Sequence, residues 1–461
     1  MNEQTLAWCK RLIGCRSVTG DGTREIADLC ARELLTPRGI EPQLAVSQVE
    51  GGSQVNLIAK VGGQDSSLAP IVLNTHLDTV PPGDTALWTE CPDGPFAANV
   101  KQERIYGLGA ADTKLDFVAK ALAVAEVGKP RRQVYLIATF GEEHGLVGAK
   151  EIAAAGMLPK GALAFIGEPS GLKVITAHKG LMVFRLELRF PAAANPAPTR
   201  SASRARFAGR SAHSSTPALG LNAIRLAIDT MATRADLRVI SIAGGDAVNK
   251  VPARCDVIID DKAPIDIANG AVIEKIEAPA PSLIPVEAVK TLSRFIADLT
   301  AFADRAGALE PDYAHPTLTC NPGVIRSSAD SLTLDFELRP PPALALDRVR
   351  EGVAALAQKL ASESPDIALT VTELRANPGF RSTLDGETVE LAMAALAAAK
   401  LPLDTGVKAG CTEAGIYAAA GLRPVVFGPG PSTGVIHAPN EYNFLAEVDA
   451  ALQFYRELLR L

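Results

Sequence analysis

P-I-V-L-N-T-H-L-D-T-V-P, Pro70 to Pro81, opens with a short apolar-rich run and then delivers His76 and, two residues on, Asp78. Such a run reads as a buried strand with polar residues at its carboxyl end. The pattern recurs. Q-V-Y-L-I-A-T-F, Gln133 to Phe140, is rich in β-branched and aromatic residues, and Gly141 turns the chain into Glu142-Glu143. L-A-F-I-G, Leu163 to Gly167, ends on Glu168, and the shorter run Arg104 to Tyr106 leads into G-L-G-A-A-D-T-K, which carries Asp112. In an open α/β sheet the carboxyl ends of parallel strands line the crevice where ligands bind. Four strand ends presenting His76, Asp112, Glu143 and Glu168, with His437 downstream, predict a metal centre there, one holding two ions.

At 461 residues the chain is long enough for two cores, since single cores stop growing near roughly 250 to 300 residues. Residues 1 to about 179 alternate helical and strand patterns, as a βαβ domain does. Near A-H-K-G, Ala177 to Gly180, the character changes to an alternating strand, Val183 to Phe190, followed by P-A-A-A-N-P-A-P-T-R, a loop by composition. Then come a strand Ala202 to Ala208, a helix Gly220 to Ala235, a strand after Asn249-Lys250-Val251-Pro252, and an Ala/Pro-rich stretch to Pro285. A helix Val286 to Arg305 and the strand S-L-T-L-D-F-E-L-R follow. The α/β pattern resumes near Asn377 and closes with a helix from Ala446 to Leu461.

The net charge of -6 shows no basic excess, which argues against a nucleic-acid or anionic-membrane surface and favours a small-molecule partner. No apolar run approaches the roughly 18 residues of a membrane span. The first residues, M-N-E-Q-T-L-A-W-C-K-R-L-I, carry a glutamate where a signal peptide would be basic and read as a short amphipathic helix, so the expected location is the cytoplasm. Seven cysteines without a C-x-x-C pair form no disulfide framework, and zinc held by cysteine pairs is excluded by spacing. G-L-G-A-A-D begins like a dinucleotide-binding loop, but Asp112 stands where the third small residue belongs and would repel a pyrophosphate.

N-T-H-L-D-T-V-P, G-L-G-A-A-D-T-K, G-E-E-H-G, G-E-P-S, the later G-R-S-A-H-S-S-T-P-A-L-G-L-N-A-I, and F-G-P-G followed by H-A-P-N-E-Y together resemble the M20 family of metallopeptidases and deacylases. The motifs run in the family's order from about Ser17 onward. The resemblance implies a zinc-exopeptidase-like α/β catalytic domain with a mostly parallel central sheet, residues 1–179 and 377–461. It is interrupted by an α+β lid or dimerisation domain over 180–376, larger than the family's common lid. The string C-N-P-G-V-I is similar to extended lids of the dipeptidase branch, where the enlargement can replace a dimer partner, so monomer and homodimer both stay open.

By the same resemblance two divalent ions, Zn2+ with Co2+ or Mn2+ as alternatives, are expected. Asp112 is the bridge, His76 and Glu168 complete one position, and Glu143 and His437 the other. Glu142 would carry the proton of the attacking water, and Asp78 would hydrogen-bond the ligand imidazole of His76. His213 would help stabilise the oxyanion. Arg339 and Asn249 are candidates for holding a substrate carboxylate, and Arg339 reads equally well as a strand-end charge. Lys408, Thr412 and Glu413 align loosely with the substrate-side loop, and Gly428 to Gly430 would present backbone amides. His144, His178 and His315 are read as non-ligands.

The family's bridging motif runs D-x-K-G-G or similar, whereas here Leu115-Asp116 follow Lys114, which predicts altered packing under the site with the ligand intact. Glutamate at position 168 goes in the family with deacylases and carboxypeptidases, and the extended lid points instead to dipeptidases. The expected activity is hydrolysis of an amide in an N-acyl amino acid or short peptide with a free carboxylate. A dipeptidase or aminopeptidase is the close alternative, and a non-catalytic metal-binding relative the remaining one.

Overall fold

The run Leu163–Gly167 is a strand over its whole quoted length, and all five residues are buried. It lies in a nine-stranded sheet of a computed structural model that describes residues 1–47, 53–191, 197–234, 236–260, 271–280, 283–306 and 310–461. The described residues form two compact units, Met1–His178 with Gly379–Leu461, and Lys179–Pro378.

In the first unit Val134–Thr139, Ile71–His76, Leu163–Gly167 and Arg423–Val426 lie side by side and parallel. Their near-continuous apolar composition fits strands covered on both faces. On one face Leu73, Leu136 and Phe165 pack with the helices Glu3–Gly14, Lys114–Val127, Glu387–Ala398 and Leu445–Arg460. On the other, Val72, Ile137 and Ile166 pack with Val147–Ala154 and Ala414–Ala419. The flanks differ from the centre. Val55–Val61 joins Val134–Thr139 antiparallel, Pro42–Val46 follows antiparallel, and beyond Arg423–Val426 the strand Val174–His178 is antiparallel too. The sheet is thus parallel where the site lies and mixed at its edges.

One strand expectation is corrected. Arg104–Tyr106 is a strand, but it sits in a separate three-stranded antiparallel sheet with Asn99–Lys101 and Tyr442–Phe444. Three residues are too few to reach across the central sheet, and Asp112 instead enters the site on the turn before the helix Lys114–Val127. That helix is apolar nearly all round and buried from Lys114 to Val124, as an internal helix should be. It stops at Gly128, whose φ of 67° suits glycine.

The second unit is α+β. Eight strands pair antiparallel in the order Val272–Ala280, Ala197–Ala208, Arg254–Asp260, Val239–Gly244, Thr319–Ser327, Ser331–Arg339, Leu181–Arg189, Ala368–Asn377. Helices Ala223–Ala232, Val286–Arg305 and Leu346–Glu363 share one core with Phe184, Leu186, Leu334 and Phe336. The opposite sheet face carries charges such as the Arg185–Asp335 pair. The loop expected over 191–200 lies partly outside the described residues, at 192–196, and Ala197 already begins a strand. Of the Ala/Pro-rich stretch, 261–270 and 281–282 lie outside them, and Val272–Ala280 is an edge strand. No described helix is long and apolar enough to cross a membrane.

Candidate metal centre

His76 is the last residue of its strand and only 1% exposed. Its Nδ1 faces the backbone carbonyl of Asp78 at 3.1 Å and its Nε2 faces Asp112 Oδ1 at 3.0 Å; both partners are acceptors, so both ring nitrogens carry protons here, and the Nε2 proton is the one a cation would displace. The Asp78 carboxylate stands farther from the ring, at 3.6 Å. It accepts the amide N–H of Glu142 at 3.1 Å, that of Glu143 at 3.3 Å and the Thr19 hydroxyl at 2.8 Å. Asp78 therefore holds the glutamate turn with its side chain and the imidazole with its main chain.

The glutamate turn begins at Gly141, whose φ of 65° lies where a side chain is strained. Glu142 and Glu143 then leave the Val134–Thr139 strand end in different directions. One cluster able to hold a cation contains His76, Glu142 and Glu168; the other contains Asp112, Glu143 and His437. Asp112 lies between them, since its Oδ1 faces His76 and its Oδ2 is 3.3 Å from His437 Nε2. His437 Nε2 is also 3.0 Å from Glu143 Oε1. Its φ of 57° is uncommon for a non-glycine residue, and such conformations concentrate at functional positions.

Crowded carboxylates and imidazoles shift one another's protonation. Burial, then the charge of Glu168, pushes Glu142 well above the usual carboxylate range. Burial likewise raises Glu143. Burial works against the charged form of His437, but hydrogen bonds to Asp112 and Glu143 lift it to about 11. Asp112 is held low by those imidazoles against its own burial. Cation binding must displace these imidazole protons, so affinity there rises with pH. Imidazole and carboxylate donors in two groups sharing one carboxylate fit two borderline cations of the zinc type.

Three residues support the clusters from behind, and Glu441 among them is not singled out by the sequence reading. Glu441, inside the quoted H-A-P-N-E-Y, accepts the amides of Ala111 at 2.8 Å and Asp112 at 3.0 Å, and burial pushes it up to about 8. It ties the segment of His437 to the turn of Asp112. Lys408, at the end of the strand Thr405–Lys408, places Nζ 2.7 Å from Glu168 Oε2, a residue of the first cluster. Glu413 is buried beneath the strand ends, one oxygen bonded by Asn74 and Thr139.

Other expected positions are placed differently. Thr412 is fully buried, its hydroxyl accepting the amide of Ala414 and its own amide donating to His178 Nε2. The Gly428 amide is used by Ser170 Oγ and that of Gly430 by Glu447, so neither is presented to a ligand. Among the described residues, His144, His178 and His315 belong to neither cluster. His213, Asn249 and Arg339 all lie in the second unit, where they are linked. Ser214, next to His213, donates its amide to Asn249 O at 3.1 Å and its hydroxyl to Glu337, and Arg339 Nε donates to the same Glu337 oxygen at 2.6 Å. Arg339 is only 5% exposed.

Over 227 residues the chain is 33% identical to an acetylornithine deacetylase from Photorhabdus laumondii, a stretch covering 44% of this chain and 52% of that protein. The chain thus spans about half the length of the curated relatives it matches. Among solved structures the fold is similar to an aminoacylhistidine dipeptidase from Vibrio alginolyticus, with a TM-score of 0.67 at 17% identity over 99% of this chain and 96% of that one. A dinuclear metal-binding peptidase of the M20 family from Bacillus subtilis gives 0.55 at 13% identity, over 99% and 96%. The model of peptidase family M20/M25/M40 matches residues 72–461, a span holding every cluster residue above, and the chain belongs to that family.

Proposed function

We propose that this enzyme is a metal-dependent hydrolase that cleaves the amide bond of an N-acyl amino acid, or of a short peptide, bearing a free carboxylate. The observation that carries the reading is the single carboxylate of Asp112 set between two donor clusters, with Glu142 beside them. Two divalent cations, zinc foremost with cobalt or manganese as alternatives, would be held by His76, Asp112 and Glu168 and by Asp112, Glu143 and His437, and would polarise the scissile carbonyl and acidify water. Glu142 takes the proton of the water that adds to the carbonyl and returns it to the leaving nitrogen, its position beside both donor clusters suiting that role. Asp78 keeps Glu142 and Glu143 in their divergent directions through their amides.

The roles of His213 at the oxyanion, and of Asn249 and Arg339 at a substrate carboxylate, rest on motif likeness alone. Glu168 and the deacetylase relative favour an N-acyl substrate. The large inserted unit, Lys179–Pro378, supports a dipeptidase as the second reading. The test is a panel of N-acetyl amino acids, N-succinyl amino acids and dipeptides, assayed after chelation and after adding back zinc, cobalt or manganese. Hydrolysis of the N-acyl set is expected, and hydrolysis confined to free-amine dipeptides selects the second reading. Protein that binds no divalent cation and gains no activity from one overturns both.

A further inference from the structure

Within the helix Lys114–Val127, Asp116 and Lys120 stand one turn apart with their charged ends 2.7 Å from each other, and both side chains have no exposed surface. A buried ion pair is a weak source of stability, because an apolar pair of similar volume is often as good or better. Its contacts suggest another use. The Lys120 ammonium donates to Asn74 O at 2.6 Å, Thr75 Oγ1 at 3.0 Å and Phe165 O at 3.2 Å. Asn74 and Thr75 are the two residues before His76; Phe165 lies three before Glu168, on the neighbouring parallel strand. Asp116 accepts the Thr75 hydroxyl and the Tyr455 hydroxyl, each at 2.6 Å.

The fit is close on the other side as well. A Cβ on Gly167 would fall 2.0 Å from Asp116 Oδ2 and 2.8 Å from Lys120 Nζ, so the backbone just before Glu168 rests on the pair. One ammonium therefore grips both strands at the level where they release their donors. We propose that Asp116 and Lys120 are positioning residues that fix the spacing of His76 and Glu168 and thereby set cation affinity at that cluster. The inference rests on the two-cation reading above. Groups that orient metal ligands from behind typically contribute about 10- to 100-fold in affinity.

The test measures cobalt binding by visible absorption and by metal per chain, in wild type, Lys120→Met and the double variant Asp116→Asn/Lys120→Met, with circular dichroism to verify the fold. Each is repeated with Glu143→Ala, which isolates the His76 cluster. The double variant buries no unpaired charge, so it keeps the test decisive if Lys120→Met alone fails to fold. Expected is at least about tenfold weaker binding at the His76 cluster, with the cluster of Glu143 and His437 within about twofold of wild type. A folded double variant that binds both cations with wild-type affinity overturns the proposal, as does equal weakening at both clusters. Wild-type protein that binds fewer than two cations overturns the two-cation reading itself, a separate failure visible before any variant is made.

Discussion

Replacing Glu413 by Gln should make the protein more stable at pH 8 and change it little at pH 5. Glu413 is 1% exposed, and its carboxylate has one oxygen bonded by Asn74 and Thr139 while the other, Oε1, is buried with no hydrogen-bond partner. Burial accordingly pushes it from 4.5 to about 7. Between those values the folded chain keeps a proton that the unfolded chain has released, so stability falls as pH rises through about 4.5 to 7 and levels off above. The full drop corresponds to about 3 kcal/mol. Gln keeps an acceptor for Asn74 and carries no charge, so the variant should lose this slope. Urea unfolding of chelated wild type and variant at pH 5, 6, 7 and 8 measures it, every other titration cancelling in the difference. The melting temperature at pH 8 should rise by on the order of 5 to 10 °C. A difference that stays constant from pH 5 to 8, or a variant less stable at pH 8, refutes the account.

Glu142→Ala should keep two cations per chain while kcat falls by roughly 10² to 10⁴ fold, measured by metal analysis beside steady-state kinetics. Asp112→Asn should lower binding at both clusters together, and a loss confined to one would show that the carboxylate is not shared. Arg339→Ala should cost about 3 kcal/mol by leaving Glu337 buried and unpaired, a loss that urea unfolding reads and that adding Glu337→Gln should recover. In that stabilised double variant KM for carboxylate-bearing substrates should still be raised; an unchanged KM removes Arg339 as an anchor.

The ligand-bearing strand ends were legible because local signals decide them. Leu163–Gly167 and Ile71–His76 are apolar runs closed by a polar residue, and Gly141 marks the turn into Glu142 and Glu143. Strand direction at the flanks was not legible, since Val174–His178 pairs with chain some 250 residues away, and no local pattern records its sense. The parts beneath the site were hidden for another reason. Charges at i and i+4, such as Asp116 and Lys120, ordinarily mark a solvated helix face. Only the unbroken apolar surroundings of that helix hinted that both were inside. Leu115-Asp116 was visible as a departure from the family motif, but its partners Thr75 and Tyr455 come from distant segments. Arg339 shows the limit from the other side: the sequence marks the residue, but Glu337, which engages it, is marked by no local pattern.

The strand Arg423–Val426 lies between Leu163–Gly167 and Val174–His178, although it is made long after both. During synthesis, the first 178 residues emerge with Leu163–Gly167 as an open edge, and Val174–His178 has no partner strand among their described residues, since it pairs with Phe380–Arg381, Thr405–Lys408 and Arg423–Val426. The last of these follows roughly 240 residues later, which at typical elongation rates is about 12 to 50 s. Until these later strands arrive, apolar strand backbone has unmet hydrogen bonds, the situation that invites pairing with foreign chains. The growing polypeptide should therefore depend on holding factors at the ribosome more than its finished stability would suggest.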